Sequence, residues 1–205
     1  MDALAAPGLV ALGYLLGSMP WGLWLPRLVA GIDIRTVGSG NLGATNVWRN
    51  VGFKLGLAVA VLDVVKGLVP ALLALWLADD LVAVLAGVAT VVGHWRPLFL
   101  AFARGGKTVA TTGGVGLALA FFPTLAAAAV WIAVFLATRY ASVASMVGAA
   151  VLPVFAVLFG ASRPVIAFTA GAAIGILVLH RANVSRLARG TESRFDLRRR
   201  RVVRA

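Results

Sequence analysis

Three stretches of this chain hold polar side chains at spacings suited to gripping phosphate. The first reads Val37-Gly38-Ser39-Gly40-Asn41-Leu42-Gly43-Ala44-Thr45-Asn46-Val47-Trp48-Arg49. Its glycines allow close backbone approach and positive φ, which turns N–H groups inward into an anion-binding nest. Arg49 could hold a phosphate through two parallel hydrogen bonds. A flexible polar connector is the plainer reading, but connectors between apolar segments are usually shorter and poorer in amides. The second stretch is Arg104-Gly105-Gly106-Lys107-Thr108-Val109-Ala110-Thr111-Thr112-Gly113-Gly114. Gly-Gly-Lys-Thr invites a nucleotide-binding P-loop, which requires Gly-x4-Gly-Lys-Ser/Thr. With Gly106 as the second glycine, the first would fall at Ala101, and the loop follows an apolar helix rather than a strand. The nucleotide reading is rejected. Phosphate cradled by backbone amides and Lys107 survives, because it needs only glycine, a cation and a helix N-terminus. Thr111 and Thr112 are expected to cap that helix. The third stretch runs from His180 to Glu192. His180 and Asn183, three apart, share one helical face that Arg186 continues, a surface suited to a small anionic polyol.

Other polar groups read as structural. His94, beside Trp95 and Pro97 at the inner end of an apolar segment, is taken as a hydrogen-bonding prop. Asp63 and Lys66, three apart inside a span, are expected to pair, since lone charges there are costly. Glu192 is expected to bridge to one of the many arginines. Cysteine is absent, which excludes thiolate nucleophiles and Cys-ligated metals. Carboxylates are few, so oxygen-rich metal cages and carboxylate dyads have little to work with.

The elements that must position these groups are membrane spans. The 205 residues are 61% hydrophobic and 13% charged, with a formal net charge of +12. A soluble domain is about a quarter charged and under half apolar, so a soluble protein is excluded. Apolar runs occupy Leu4–Val29, kinked near Pro20, then about 55–77 and 81–100. A long run, Val115–Leu179, is broken at Phe122-Pro123, at Thr138-Arg139-Tyr140 and between Gly160 and Pro164. This predicts an all-α integral membrane protein with seven transmembrane helices. The segments 31–54, 104–114 and 180–205 are basic and the turn at Asp79-Asp80 is acidic. Basic loops stay inside, which predicts an outer N-terminus, a cytoplasmic C-terminus and polar clusters at the cytoplasmic face. The four arginines at 198–201 suit anionic lipid heads better than nucleic acid.

The three stretches together resemble one family. Ser39-Gly40-Asn41 through Arg49 is similar to its first motif. Gly93-His94 through Gly105-Gly106-Lys107 and Val109-Ala110-Thr111 is similar to its second. His180, Asn183 and Gly190-Thr191-Glu192 are similar to its third. The family is the bacterial membrane glycerol-3-phosphate acyltransferase that uses acyl phosphate as donor. Gly17-Ser18-Met19-Pro20-Trp21-Gly22 and Asp63-x-x-Lys66-Gly67 also match its pattern, so the resemblance covers roughly residues 10 to 195. It implies transfer of an acyl group from acyl phosphate to the 1-hydroxyl of glycerol 3-phosphate. The products would be lysophosphatidic acid and phosphate, in phospholipid biosynthesis at the inner membrane, with neither metal nor cofactor. It implies catalytic roles for Ser39, Arg49, Lys107, His180 and Asn183. It implies substrate-binding roles for Gly40, Asn41, Thr45, Asn46, Gly105, Gly106, Thr111, Ser142 and Ser145. One acyltransferase domain would span 1–193, with a basic tail over 194–205. The expected partners are the two substrates and membrane lipids, not nucleic acid, and a monomer is expected. One position departs from the pattern: the residue after the lysine is Thr108 where the family has glycine.

The main rival is a transporter for a phosphorylated metabolite. It would share basic loops and buried polar groups, but should show inverted repeats and broken helices at mid-membrane. Neither is visible in the sequence. A membrane scaffold that recruits nucleic acid through the arginine tail is the second rival.

Overall fold

The computed structural model describes residues 5–195; the arginines at 198–201 lie outside the described residues. Those residues fold into ten α-helices, with no strand among them. They are α1 (Ala5–Gly17), α2 (Trp21–Ala30), α3 (Ala44–Asn50), α4 (Phe53–Leu77) and α5 (Asp80–Trp95). After a long loop come α6 (Val109–Leu119), α7 (Phe121–Thr138), α8 (Ala141–Leu158), α9 (Arg163–Leu179) and α10 (Arg181–Ala188).

The breaks follow from local chemistry. Pro20 cannot donate to the ladder, so α1 and α2 part there. The Met19 carbonyl freed at the break accepts from Lys66 Nζ at 2.8 Å. Asp79 caps α5 by accepting from Val82 N–H at 2.9 Å, a standard N-cap contact. The break expected at Phe122-Pro123 falls earlier, at Ala120, whose φ of −150° lies outside the helical range. Pro123 sits in the first turn of α7 instead, where a missing N–H costs nothing.

Five elements are long and apolar enough to cross a bilayer: Ala5–Ala30, Phe53–Leu77, Asp80–Leu100, Phe121–Thr138 and Ala141–Leu158. The pair α9 and α10, bent by 50°, makes a sixth. The remaining apolar helix, α6, has 11 residues, about 16 Å of rise, half of a hydrocarbon core. Large apolar side chains on the outside, such as Trp76 at 86% exposed, need lipid rather than water around them.

Backbones meet closely along glycine seams. A Cβ on Gly17 would lie 2.2 Å from Thr90 O, and one on Gly93 2.4 Å from Tyr14 O, which presses α1 onto α5. A Cβ on Gly67 would lie 2.2 Å from Thr111 O, and one on Gly114 2.0 Å from Val64 O, which does the same for α4 and α6. Without a hydrophobic driving force between helices in lipid, such small-residue contacts supply the packing. Inside this block Lys66 pairs with Asp63 at 2.9 Å, both side chains buried. Their mutual attraction offsets the cost of holding charge away from water. α7, α8 and α9 pack in sequence order beside the block and leave a cavity between the two halves.

Candidate active site

A cavity of about 770 Å³ collects residues from every helix after α2 and from three polar loops. The loop before α3 is shaped by Asn46, which is 4% exposed. Its Nδ2 donates to the carbonyls of Val37 and Asn41, each at 3.0 Å. Its Oδ1 accepts from Ser39 N–H at 3.2 Å and from Asn50 Nδ2 at 2.8 Å. An amide offers two donors and two acceptor sites, so Asn46 spends its whole capacity on its own loop. Gly38 has φ +60°, and a Cβ there would lie 2.3 Å from Asn50 Nδ2. Asn41 Oδ1 accepts from Gly43 N–H at 2.7 Å and leads the chain into α3. The Ser39 hydroxyl stands exposed at the cavity wall.

Arg49 extends from α3 into the same wall. Its Nη2 donates to Ser193 O at 3.1 Å, and its guanidinium lies 4.9 Å from the centre of the Phe195 ring. Burial lowers its pKa from the ordinary arginine value, an effect that Glu192 opposes and Arg186 deepens.

The second loop is held from below. Gly105 and Gly106 donate to the carbonyls of Trp95 and His94 at 2.9 and 3.2 Å. A Cβ on Gly106 would lie 2.0 Å from His94 Nε2, so the imidazole points that nitrogen at the glycine. His94 Nδ1 meets Thr111 Oγ1 at 3.0 Å and stands 3.6 Å from Asp63 Oδ1. His94 is thus hydrogen-bonded as expected, with Thr111 as its partner, and it also reaches the cavity wall. Thr111 turns away from the cavity, and α6 begins at Val109, so neither Thr111 nor Thr112 caps it. The capping position falls to Thr108, with φ +63° and ψ −3°. A β-branched residue holds a left-handed turn here, at a strain cost.

Lys107 follows the glycines and donates to Asn183 Oδ1. Asn183 Nδ2 in turn donates to Glu192 Oε1 at 2.6 Å, which also accepts from Ser142 Oγ at 2.8 Å. Glu192 Oε2 pairs with Arg186 Nε at 2.6 Å. Glu192 is therefore the bridge to an arginine, and also the hub that joins α8 to α10. Burial raises its pKa, but the hydrogen bonds from Asn183, Ser142 and Arg186 win and hold it below the ordinary glutamate value. Burial, then the charge of Arg186, pushes Lys107 down to about 8; Arg104 and Arg49 push the same way and Glu192 resists. His180 occupies the corner between α9 and α10, outside both helices. Its Nδ1 donates to Ile176 O at 2.8 Å, which leaves Nε2 as an acceptor. Burial, then the charge of Lys107, pushes His180 down to about 4.

Of the residues singled out in the sequence, Ser39, Asn41, Thr45, Asn46, Arg49, Lys107, Ser142, Ser145, His180 and Asn183 line this one cavity. Gly40, Gly105, Gly106 and Thr111 do not; the glycines shape the loops behind it and Thr111 holds His94. Ser145 Oγ accepts from Trp131 Nε1 at 3.1 Å and donates to Ala141 O at 2.7 Å, which anchors the indole. The role of Phe195 was missed, because it is a contact across 146 positions that no local spacing signals.

Away from these polar groups the wall is apolar: Leu57, Ala60 and Val64 of α4, Ala127, Ala128 and Trp131 of α7, and Gly148, Ala149 and Leu152 of α8. Ser142 to Leu152 spans about 15 Å of helix. A cationic pocket joined to an apolar arm of that depth fits a phosphorylated amphiphile.

Comparison with known proteins agrees. The sequence model of the family described as glycerol-3-phosphate acyltransferase matches residues 8–190. A glycerol-3-phosphate acyltransferase of Desulforudis audaxviator is 44% identical, over 97% of this chain and all of that one. One of Anaeromyxobacter sp. is 48% identical, over 95% and 98%. The crystal structure of PlsY (YgiH), an integral membrane glycerol 3-phosphate acyltransferase in its glycerol 3-phosphate form, superposes with a TM-score of 0.90 at 40% identity, covering 94% of this chain and 96% of that one. Its lysophosphatidic acid form gives 0.87 at 39%, with the same coverage. With motifs, fold and cavity in agreement over nearly its whole length, this chain belongs to the glycerol-3-phosphate acyltransferase family.

Proposed function

We propose that the chain transfers an acyl group from acyl phosphate to the 1-hydroxyl of glycerol 3-phosphate, releasing lysophosphatidic acid and inorganic phosphate. One observation carries the reading: cations and amides from separate stretches meet in a single cavity whose other end is an apolar arm. Both substrates carry phosphate, so they repel. Arg49 and Lys107 offset that repulsion and bring hydroxyl and acyl carbon into reach; the N–H groups of Gly40, Gly43, Gly105 and Gly106 donate within the protein instead of forming the expected nest.

The hydroxyl oxygen attacks the acyl carbon, the acyl–oxygen bond to phosphate breaks, and the proton passes to the departing phosphate. Two observations support this destination. Glu192 has its oxygens committed to Asn183, Ser142 and Arg186. His180, held down at about 4, is a weak base, suited to orienting the hydroxyl through Nε2. Ser39 and Asn183 orient groups in the same way.

In this reading seven spans cross the inner membrane, with α1 and α2 forming one and the short α6 another. The active site faces the cytoplasm. The shared position of the basic loops at one cavity supports it. The deciding assay mixes purified protein with acyl phosphate and glycerol 3-phosphate, with EDTA and without acyl-CoA or acyl carrier protein. Equal yields of lysophosphatidic acid and phosphate are expected. No transfer under these conditions, with transfer restored by acyl-CoA, overturns the donor.

A further inference from the structure

Arg49 sits on a helix of seven residues, and its long side chain has many rotamers to choose from. What selects one is the strap that follows α10. Ser193 O accepts from Arg49 Nη2 at 3.1 Å, and the Phe195 ring faces the guanidinium at 4.9 Å. Phe195 is itself fixed. It is 4% exposed and meets Trp48 edge-on at 4.8 Å and Phe135 at 5.3 Å. Its N–H donates to Arg139 O at 2.8 Å, so the strap ties α3 to the corner between α7 and α8.

The kind of partner matters. A carboxylate would also hold Arg49, but would compete with phosphate for its charge. A ring face and a carbonyl attract the cation without neutralising it. No carboxylate pairs with Arg49 among the described residues, and its buried Nε has no hydrogen-bond partner among them. The nearby carboxylate, Glu192, is committed to Arg186.

We infer that Phe195 is a positioning residue: its ring face fixes the Arg49 guanidinium at the cavity wall and leaves the charge free for a substrate phosphate. This rests on reading Arg49 as a phosphate-binding group. Phe195 lies beyond residues 8–190, the part of the chain that the family pattern covers.

The test is steady-state kinetics on purified variants, with size-exclusion profiles as the folding control. Phe195→Leu keeps apolar bulk but removes the ring. It should raise the KM for a phosphate substrate about three- to tenfold, with kcat changed less than about twofold. Phe195→Trp should stay within about twofold of the parent, because indole is the stronger cation partner. Pentafluorophenylalanine at 195 keeps the shape and reverses the ring's charge distribution, and should behave like leucine. In an Arg49→Ala background, Phe195→Leu should cost nothing further, since it acts only through that side chain. Parent-like KM in both the leucine and the fluorinated forms overturns the inference, as does full additivity with Arg49→Ala. If leucine prevents folding, the fluorinated form decides alone. Unimpaired activity in Arg49→Ala would instead overturn the phosphate reading of Arg49, a result distinct from silent Phe195 variants beside a crippled Arg49→Ala.

Discussion

Thr108 offers a sign test of the loop that carries Lys107. At φ +63° and ψ −3° its Cβ crowds the backbone, at a cost of about 1–2 kcal/mol. Glycine escapes that cost but brings about 0.5–1 kcal/mol of extra freedom to the unfolded chain. Thr108→Gly and Thr108→Ala remove nearly the same buried side chain, so the difference between them isolates the backbone. Glycine should be the more stable of the two by about 0.5–1 kcal/mol. In an ordinary right-handed turn alanine would win by a similar margin, so the sign reports the conformation. For a chain of this length the gap is about 1–4 °C in Tm. Thermal unfolding in detergent, followed by fluorescence of the six tryptophans, measures it. Glycine should also keep parent-like kcat/KM, because it makes the same turn before α6. An alanine variant that melts above the glycine variant refutes the left-handed turn and the loop geometry built on it.

Ser39→Ala, Arg49→Ala, Lys107→Ala and Asn183→Ala should each lower turnover at least about tenfold, roughly 1.4 kcal/mol of barrier; normal rates in all four purified proteins would remove the site. Lys107, pushed down to about 8, loses its proton as pH rises, and binding needs the cation. Hence kcat/KM should be level below about pH 8 and fall above it, whereas a flat profile to pH 10 would exclude Lys107 as the phosphate cation. Asp63→Asn or Lys66→Met alone should destabilise by about 3–5 kcal/mol, while the double change should recover most of that, measured by denaturant unfolding in detergent. Additive losses would show that the two charges do not depend on each other.

What could be read in the sequence was local. Asp63 and Lys66, three apart, pair as expected, and Glu192 bridges to an arginine as expected, the structure naming Arg186. Pro20 splits the first span because proline acts on its own turn. The three motifs named much of the cavity's polar wall, because residue type and spacing along a loop are local properties. What could not be read depended on distance or on backbone geometry. Asn46 looked like a ligand contact, yet it folds back on Val37, Asn41 and Asn50. Thr111 looked like a cap, yet it meets His94 seventeen residues away. The ends of the eleven-residue α6 fell a few residues earlier than expected, since nothing in the apolar run signals that Ala120 rather than Phe122 will leave the helical range. Phe195 sits in a basic tail, and its partners Arg49 and Trp48 lie far away in sequence.

The seams at Gly17, Gly67, Gly93 and Gly114 invert the usual rule for which positions a protein guards. In a water-soluble fold, tolerance to exchange falls as side chains get larger and deeper. Here one added methyl would strike a neighbouring carbonyl oxygen at 2.0–2.4 Å, while bulky residues such as Trp76 face fluid hydrocarbon that any apolar group can meet. A saturation library should therefore record its harshest penalties where the least matter is present and near-indifference where the most is. Drift in this chain would be confined to its outer coat, with the innermost contacts frozen by the emptiness they require.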